Sequence, residues 1–416
     1  MDARDLLFRQ DAGRMVATLT RVFGVHNLAL VEDVVQDAFC RALEVWKFRG
    51  VPENPSAWLM ATARNRALDV LRSQRTARKF APALGYLFES EWTLAPAMDE
   101  LFGADAIRDD LLRMMFSCCH PRLSEEGRVA LMLNILCGFS VEEVAGAFVT
   151  SHAAMEKRIT RAKKVLAGSK ALFDVAAAAD FAARLPTVLR ALYLLFNEGY
   201  HGASRETAVR AELCREAMRL IAVLLEHPSG SGPATHALAA LMCLNAARLT
   251  ARTDAAGNLV PLAQQDRSLW DAKLIAKGVN FLELSASGAE ISDYHIEAAI
   301  AAIHANAASM PQTDWRTIVS LYDLLIAQHP SPIVALNRAI AVAQCESAAR
   351  GLEEIAAIPD QARLAEYPFY FAAQGELELS RGESETARKH FHAALALARN
   401  PMERRYYEQR LAACGA

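Results

Sequence analysis

Apolar positions along the chain recur at helical rather than strand spacing. Over residues 31–46, Val34, Val35, Ala38, Phe39, Ala42, Leu43 and Trp46 follow the i, i+3/i+4 rule, which predicts a helix with one buried stripe. Glu32, Asp33, Gln36 and Asp37 gather in its first turns, away from that stripe. A loop carrying Pro52 and Pro55 follows, and residues 56–72 predict a second helix. Leu59, Met60, Ala63, Ala67, Val70 and Leu71 form its inward arc. Trp58, Thr62, Asn65, Asp69 and Arg72 fall on the opposite side. Residues 139–148 predict a short helix with Ser140 as N-cap; after a tight turn, Ser151 caps a second helix reaching about Leu166. There Met155, Ile159, Ala162 and Leu166 point inward, opposite Ala153, Lys157, Arg161 and Lys164. Alternating β-branched runs are nearly absent, so the expected fold class is all-α. One exception is expected at 253–263, where residues 254–258 read as a turn between short extended pieces.

Beyond residue 310 the pattern becomes helix pairs. Residues 315–328 run into the stop His329-Pro330-Ser331-Pro332, then 333–343 resume; 367–381 and 383–399 pair across Gly382. Gly375, Ala387, Phe391 and Ala394 stand at the small-and-large positions of a tetratricopeptide repeat. Five segments are expected: 1–79; a linker, 80–104; 105–170; a helical extension, 171–310; and repeat-like pairs, 311–416.

Length agrees, since 416 residues imply two to four domains. No apolar run reaches the ~18 residues of a membrane span, and the N-terminus carries acids without a continuous apolar stretch. The eight cysteines form no CxxC pair, which suggests a reducing cytoplasm. Charge changes the picture more. The formal net charge of −3 hides basic clusters: Arg64, Arg66, Arg72, Arg75, Arg78 and Lys79 in one stretch, Lys157, Arg158, Arg161, Lys163 and Lys164 in another. Residues 80–104 contain no Lys or Arg, and 171–416 are net acidic. Basic stripes in an acidic protein are a local polyanion footprint, although a stripe standing alone is more often a solvated helix face. Trp58 on a basic face offers what unpaired bases need, a stacking surface beside phosphate neutralisation; a neighbouring helix could instead cover it. The acids of 31–46 suit either the helix dipole or a basic partner.

In this order and spacing, the three pieces resemble a bacterial sigma-70 family factor of the extracytoplasmic-function type. Residues 31–39 resemble region 2.2, which docks on the β′ coiled coil of core RNA polymerase. Residues 55–72 resemble regions 2.3–2.4, which open the −10 element, and 123–166 resemble region 4, which reads the −35 element. The resemblance implies polymerase contacts by Glu32, Asp33, Gln36 and Asp37. It implies −10 contacts by Asn54, Ser56, Trp58, Arg64, Asn65, Arg66, Arg72 and Arg75. It implies −35 contacts by Ser151, His152, Ala154, Lys157, Arg158 and Arg161, with Glu156 standing where many such factors carry a base. The partners it implies are core polymerase, through its β′ coiled coil and β flap, and promoter DNA, with no cofactor, metal or catalytic role. Residues 194–200 and 266–271 resemble the signature stretches of a subgroup with a large tetratricopeptide-containing extension, expected to regulate through protein contacts.

A rival reading is a polymerase-independent helix-turn-helix regulator with a ligand-sensing helical domain, its pocket lined by Asn197, Glu198, Tyr200 and Arg267. It leaves the Trp58 face and the 32–37 face without purpose. An enzyme would have to use Cys118-Cys119-His120, which more readily reads as buried residues at a helix end.

Overall fold

The computed structural model describes residues 3–79, 109–148, 150–168, 178–202, 204 and 207–415. The expected linker at 80–104 and most of the break near 169–180 lie outside the described residues. Among those described, every regular element is a helix, as the spacing predicts; the only extended pairing is the isolated antiparallel bridge Thr253–Leu259, which closes the expected turn. The chain divides into two compact units, Met1–Leu192 with Glu226–Gly230, and Tyr193–Leu225 with Ser231–Ala416.

The first unit begins with α1 (Ala3–Phe23), α2 (Leu28–Arg49) and α3 (Pro55–Lys79). Val31, Val34, Val35, Ala38, Ala42 and Trp46 of α2 are buried, as are Leu59, Ala63 and Ala67 of α3. Burying each aliphatic side chain contributes about 1.5–3 kcal/mol, and this stripe holds the helices together. Of the predicted inward arc of α3, Met60, Val70 and Leu71 are only half-buried, and the α2 stripe differs at two places. Phe39 is half-buried and Leu43 is 48% exposed.

Four more helices follow: α4 (Asp110–Ser117), α5 (Glu125–Ile135), α6 (Val141–Ala147) and α7 (His152–Ala167). Each starts on a side-chain cap, Asp109, Ser124, Ser140 and Ser151 in turn, which satisfies an otherwise orphaned backbone N–H. Ser140 and Glu143 form a reciprocal capping box. These helices pack on the first three. The Thr18 hydroxyl donates to Asp110 Oδ2 at 3.0 Å, and Gly13 of α1 lies against the Leu136 carbonyl at the end of α5. Helix α8 (Ala178–Tyr200) stacks Phe181 on Phe116, with ring centroids 4.4 Å apart.

In the second unit, α9 (Ala211–Glu226) precedes α10 (Pro233–Ala246), whose residues Ala237–Leu244 are all buried. A helix apolar on every side must be surrounded, and α11 (Ala272–Ser285) and α12 (Asp293–Asn306) pack on it. Helix pairs follow: α13 (Trp315–Gln328) with α14 (Pro332–Cys345), then α15 (Ala348–Ala356), then α16 (Pro368–Ser380) with α17 (Ser384–Ala396), and α18 (Pro401–Ala413). Gly375 admits the Phe391 ring, which a Cβ would meet at 2.8 Å. No described helix is long and apolar enough to cross a membrane.

Candidate functional site

The exposed side of α2 carries Asp33, Gln36 and Asp37, while Glu32 is half-buried. All four sit where the stripe dictates, on turns whose other side is core. Glu32 is engaged: Lys163 Nζ of α7 lies 2.6 Å from its Oε1. Asp37 pairs with Arg66 of α3 at 3.2 Å, both side chains more than half exposed, so this bond is worth little. The acidic edge of α2 and the basic edge of α3 therefore adjoin.

On α3, Arg64, Asn65, Arg66 and Arg72 are exposed. Arg75 lies in the same helix, its side chain outside the described residues. Asn54 accepts from the backbone N–H of Ala57 at 3.0 Å and so caps the helix. Ser56 donates to Asp11 at 2.6 Å, which ties the helix start to α1. Trp58 is half-buried, its ring 5.5 Å from the ring of Trp46 and tilted by 59°. Trp58 thus contacts the core while staying partly exposed, on the helix that carries the basic edge.

Helix α7 has the predicted polarity. Met155, Ile159, Ala162 and Leu166 are at most 4% exposed. Ser151, His152, Ala154, Lys157 and Arg161 are exposed, and Arg158 is half-buried against Glu126 at 3.0 Å. The two basic clusters are thus on different helices of one unit, and Lys163 is drawn to Glu32 rather than to solvent.

The pattern did not reveal three exposed apolar residues near the end of α2, Leu43 at 48%, Phe48 at 84% and Val51 at 51%. The signal was there for Phe48, which falls off the helix's buried stripe. Exposed apolar side chains beside a charged face are common at protein interfaces. Cys118 and Cys119 are buried at the end of α4, and burial pushes the Cys119 thiol up to about 12, far from a reactive thiolate. Among the described residues no three His, Cys, Asp or Glu side chains gather to hold a metal.

In the second unit, Glu198 is 5% exposed and pairs with Arg210, 2% exposed, at 2.5 Å. Arg267 stacks on Trp270 at 4.5 Å and donates to the carbonyls of His304 and Ala307, both at 2.6 Å. Of the four residues Asn197, Glu198, Tyr200 and Arg267, Glu198 is engaged in its ion pair and Arg267 in its stack on Trp270.

Residues 7–77, which span α1 to α3, match the sigma-70 region 2 family. The RNA polymerase sigma factor CarQ of Myxococcus xanthus is 34% identical over 146 residues, covering 34% of this chain and 75% of that one. The chain belongs to the sigma-70 family. Within this sigma-70 family member, the Glu32–Asp37 face and the Trp58 face both fall inside region 2. An uncharacterized protein of Rhizobium meliloti is 39% identical over 409 residues, 98% of this chain and 95% of that one, so the likeness extends through the second unit. Residues 184–286 match a family of unknown function (DUF6596). No solved structure matches the chain.

Proposed function

We propose that the protein is a sigma factor of the extracytoplasmic-function type, one that binds core RNA polymerase, directs it to −10 and −35 promoter elements, and is regulated through its second unit. The observation that carries this reading is the adjoining of an exposed acidic edge on α2 and an exposed basic edge on α3 within the matched region 2. The acids meet a basic polymerase surface, with Leu43 and Phe48 supplying apolar contact beside them. The 49–55 loop and the open side of Trp58 receive unstacked bases, each stacking contact worth about 1–3 kcal/mol. Arg64, Arg66 and Arg72 neutralise phosphates. Ser151, His152 and Ala154, small or polar at the start of α7, allow close approach to a groove, while Lys157 and Arg161 anchor its phosphates. Docking through Glu32 requires the Lys163 pair to open. The polymerase supplies the chemistry.

The docking assignment is tested by Asp33→Lys combined with Asp37→Lys. Both side chains face solvent, so folding should survive, while charge reversal at an interface costs several kcal/mol. Retention on immobilised core polymerase should fall at least tenfold; unchanged retention would remove α2 from the interface. A polymerase-independent regulator would bind promoter duplex as tightly without core polymerase as with it.

Regulation by the second unit is supported by its net acidity, which disfavours a direct DNA role, and by stacked helix pairs of the kind that bind partner proteins. Phe181 and Arg184 belong to the core of the first unit: Phe181 stacks on Phe116, and Arg184 donates to the Phe116 carbonyl at 3.3 Å. A deletion should therefore end at Leu192 rather than near Lys170. Run-off transcription by that shortened chain should differ from full length by severalfold. Equal output would end the regulatory reading.

A further inference from the structure

Five side chains from three places in the second unit form an alternating stack. Arg252 lies 4.0 Å over the Tyr200 ring. Arg248 lies 5.8 Å from the same ring and 5.7 Å from the Trp270 ring. Arg267 covers Trp270 at 4.5 Å. The aromatic residues are buried and the arginines half-buried, so three guanidinium groups are held partly out of water within one short column.

Cation–π contacts offset part of that cost, about 0.5–2 kcal/mol each. They do not neutralise the charge. Among the described residues no carboxylate pairs with Arg248, Arg252 or Arg267; their polar partners are neutral. Arg248 donates to the Asn245 side chain at 2.8 Å, Arg252 meets His201 Nδ1 at 3.1 Å, and Arg267 holds two backbone carbonyls. Elsewhere in the unit arginines do find acids, as in Arg338 with Asp323 and Glu354, or Arg410 with Glu376. The column also keeps buried polar atoms without a partner: Arg252 Nε, Arg267 Nη2, Tyr200 Oη, Trp270 Nε1 and, beside Arg267, His304 Nδ1. Buried donors are ordinarily bonded, and leaving one unmade costs about 1–3 kcal/mol. Five such atoms lie together here. The electrostatics agree: burial and the neighbouring Arg248 and Arg267 push His304 down to about 4, and burial with Arg248 lowers Arg267.

We propose that Arg248, Arg252 and Arg267, interleaved with Tyr200 and Trp270, are the wall of a binding site for a small-molecule oxyanion, a phosphate or carboxylate group. Planar guanidinium forks match either group bidentately, and a bound oxyanion supplies counter-charge and acceptors to the guanidinium groups it reaches. The site rests on the second unit alone and stands whether or not the first unit is a promoter-recognition subunit.

The test uses the full-length chain. Inorganic phosphate, pyrophosphate and citrate are titrated by calorimetry and by thermal shift, each against sodium chloride of equal ionic strength. At least one probe should bind saturably and raise the melting temperature where chloride does not; the phosphate and citrate arms tell which oxyanion the site prefers. Arg248→Gln and Arg267→Gln should each weaken that probe at least tenfold, and Arg404→Gln, at an exposed arginine elsewhere in the unit, should leave it unchanged. A second measurement needs no variant: in the wild-type chain, the same probe should slow phenylglyoxal modification of Arg248 and Arg252 but not of Arg404. The proposal fails if no probe binds above the chloride control, if both glutamine variants bind as wild type, or if protection is equal at all three arginines.

Discussion

Arg210→Met should cost the second unit about 3–5 kcal/mol, the range for breaking a buried ion pair by removing one partner, because it takes away a guanidinium that meets the buried Glu198 carboxylate. The two side chains are 2% and 5% exposed and meet at 2.5 Å. Backbone contacts bracket the pair. Arg210 N donates to Gly199 O at 2.7 Å and Gly202 N to Ala208 O at 3.0 Å. A Cβ on Gly199 would stand 2.7 Å from Cys214 N and 2.8 Å from Arg210 O. This is a close approach that only glycine permits. The ion pair thus closes a clasp between the end of α8 and the start of α9. The double variant Glu198→Leu/Arg210→Met removes both charges and should recover most of the loss, since apolar groups of similar volume often replace a buried pair without penalty. Urea unfolding of the full chain, followed by hydrogen exchange across 193–225, separates the cases. A loss below 1 kcal/mol for Arg210→Met would mean that water or another cation already reaches Glu198.

How much of this was legible from residue order depends on the range of the interaction. Helices whose faces are set by i, i+4 spacing were readable. Residues 315–328 form the predicted helix, and α7 buries the predicted four residues. Caps were readable for the same reason, as Ser140 and Ser151 act on backbone three residues away. Helix α15 was not anticipated. It is short, and its Arg350 is tied to Glu346, Glu353 and Glu354, which gives the stretch the composition of a charged loop. Periodicity puts Phe39 and Leu43 in the core because it shows a face but not how far a neighbour extends over it. Contacts distant along the chain were least accessible. Nothing in the spacing ties Glu32 to Lys163, or draws Tyr200, Arg248 and Trp270 into one stack, because each pair meets only through the packing of whole helices. The candidate site divides the same way. Its acidic and basic edges were visible as faces, whereas their adjacency through Asp37 and Arg66 was not.

Gly13→Ala should destabilise the first unit by about 1–3 kcal/mol or more, the range for forcing atoms into a filled space. A Cβ at this position would lie 1.8 Å from the Leu136 carbonyl oxygen and 2.7 Å from its carbon, both backbone atoms at the end of α5. No rotamer change relieves a backbone collision, so α1 must withdraw from α5. Gly168→Ala is the matched control, because its nearest foreign atoms are 3.5 Å away and its backbone is already helical. There the substitution should be neutral or slightly stabilising through reduced freedom of the unfolded chain. The consequence reaches the candidate site. Gly13 against Leu136, Thr18 against Asp110 and Glu32 against Lys163 join α1 and α2 to α4, α5 and α7, the last of which carries the second basic cluster. Loosening the first should weaken the others and expose Glu32. Hydrogen exchange should therefore quicken in α1, α5 and α7 of Gly13→Ala while α16 and α17 keep their wild-type rates. If Gly13→Ala melts with Gly168→Ala and wild type, α1 and α5 are not in close contact in solution, and the Glu32–Lys163 pair loses its principal support.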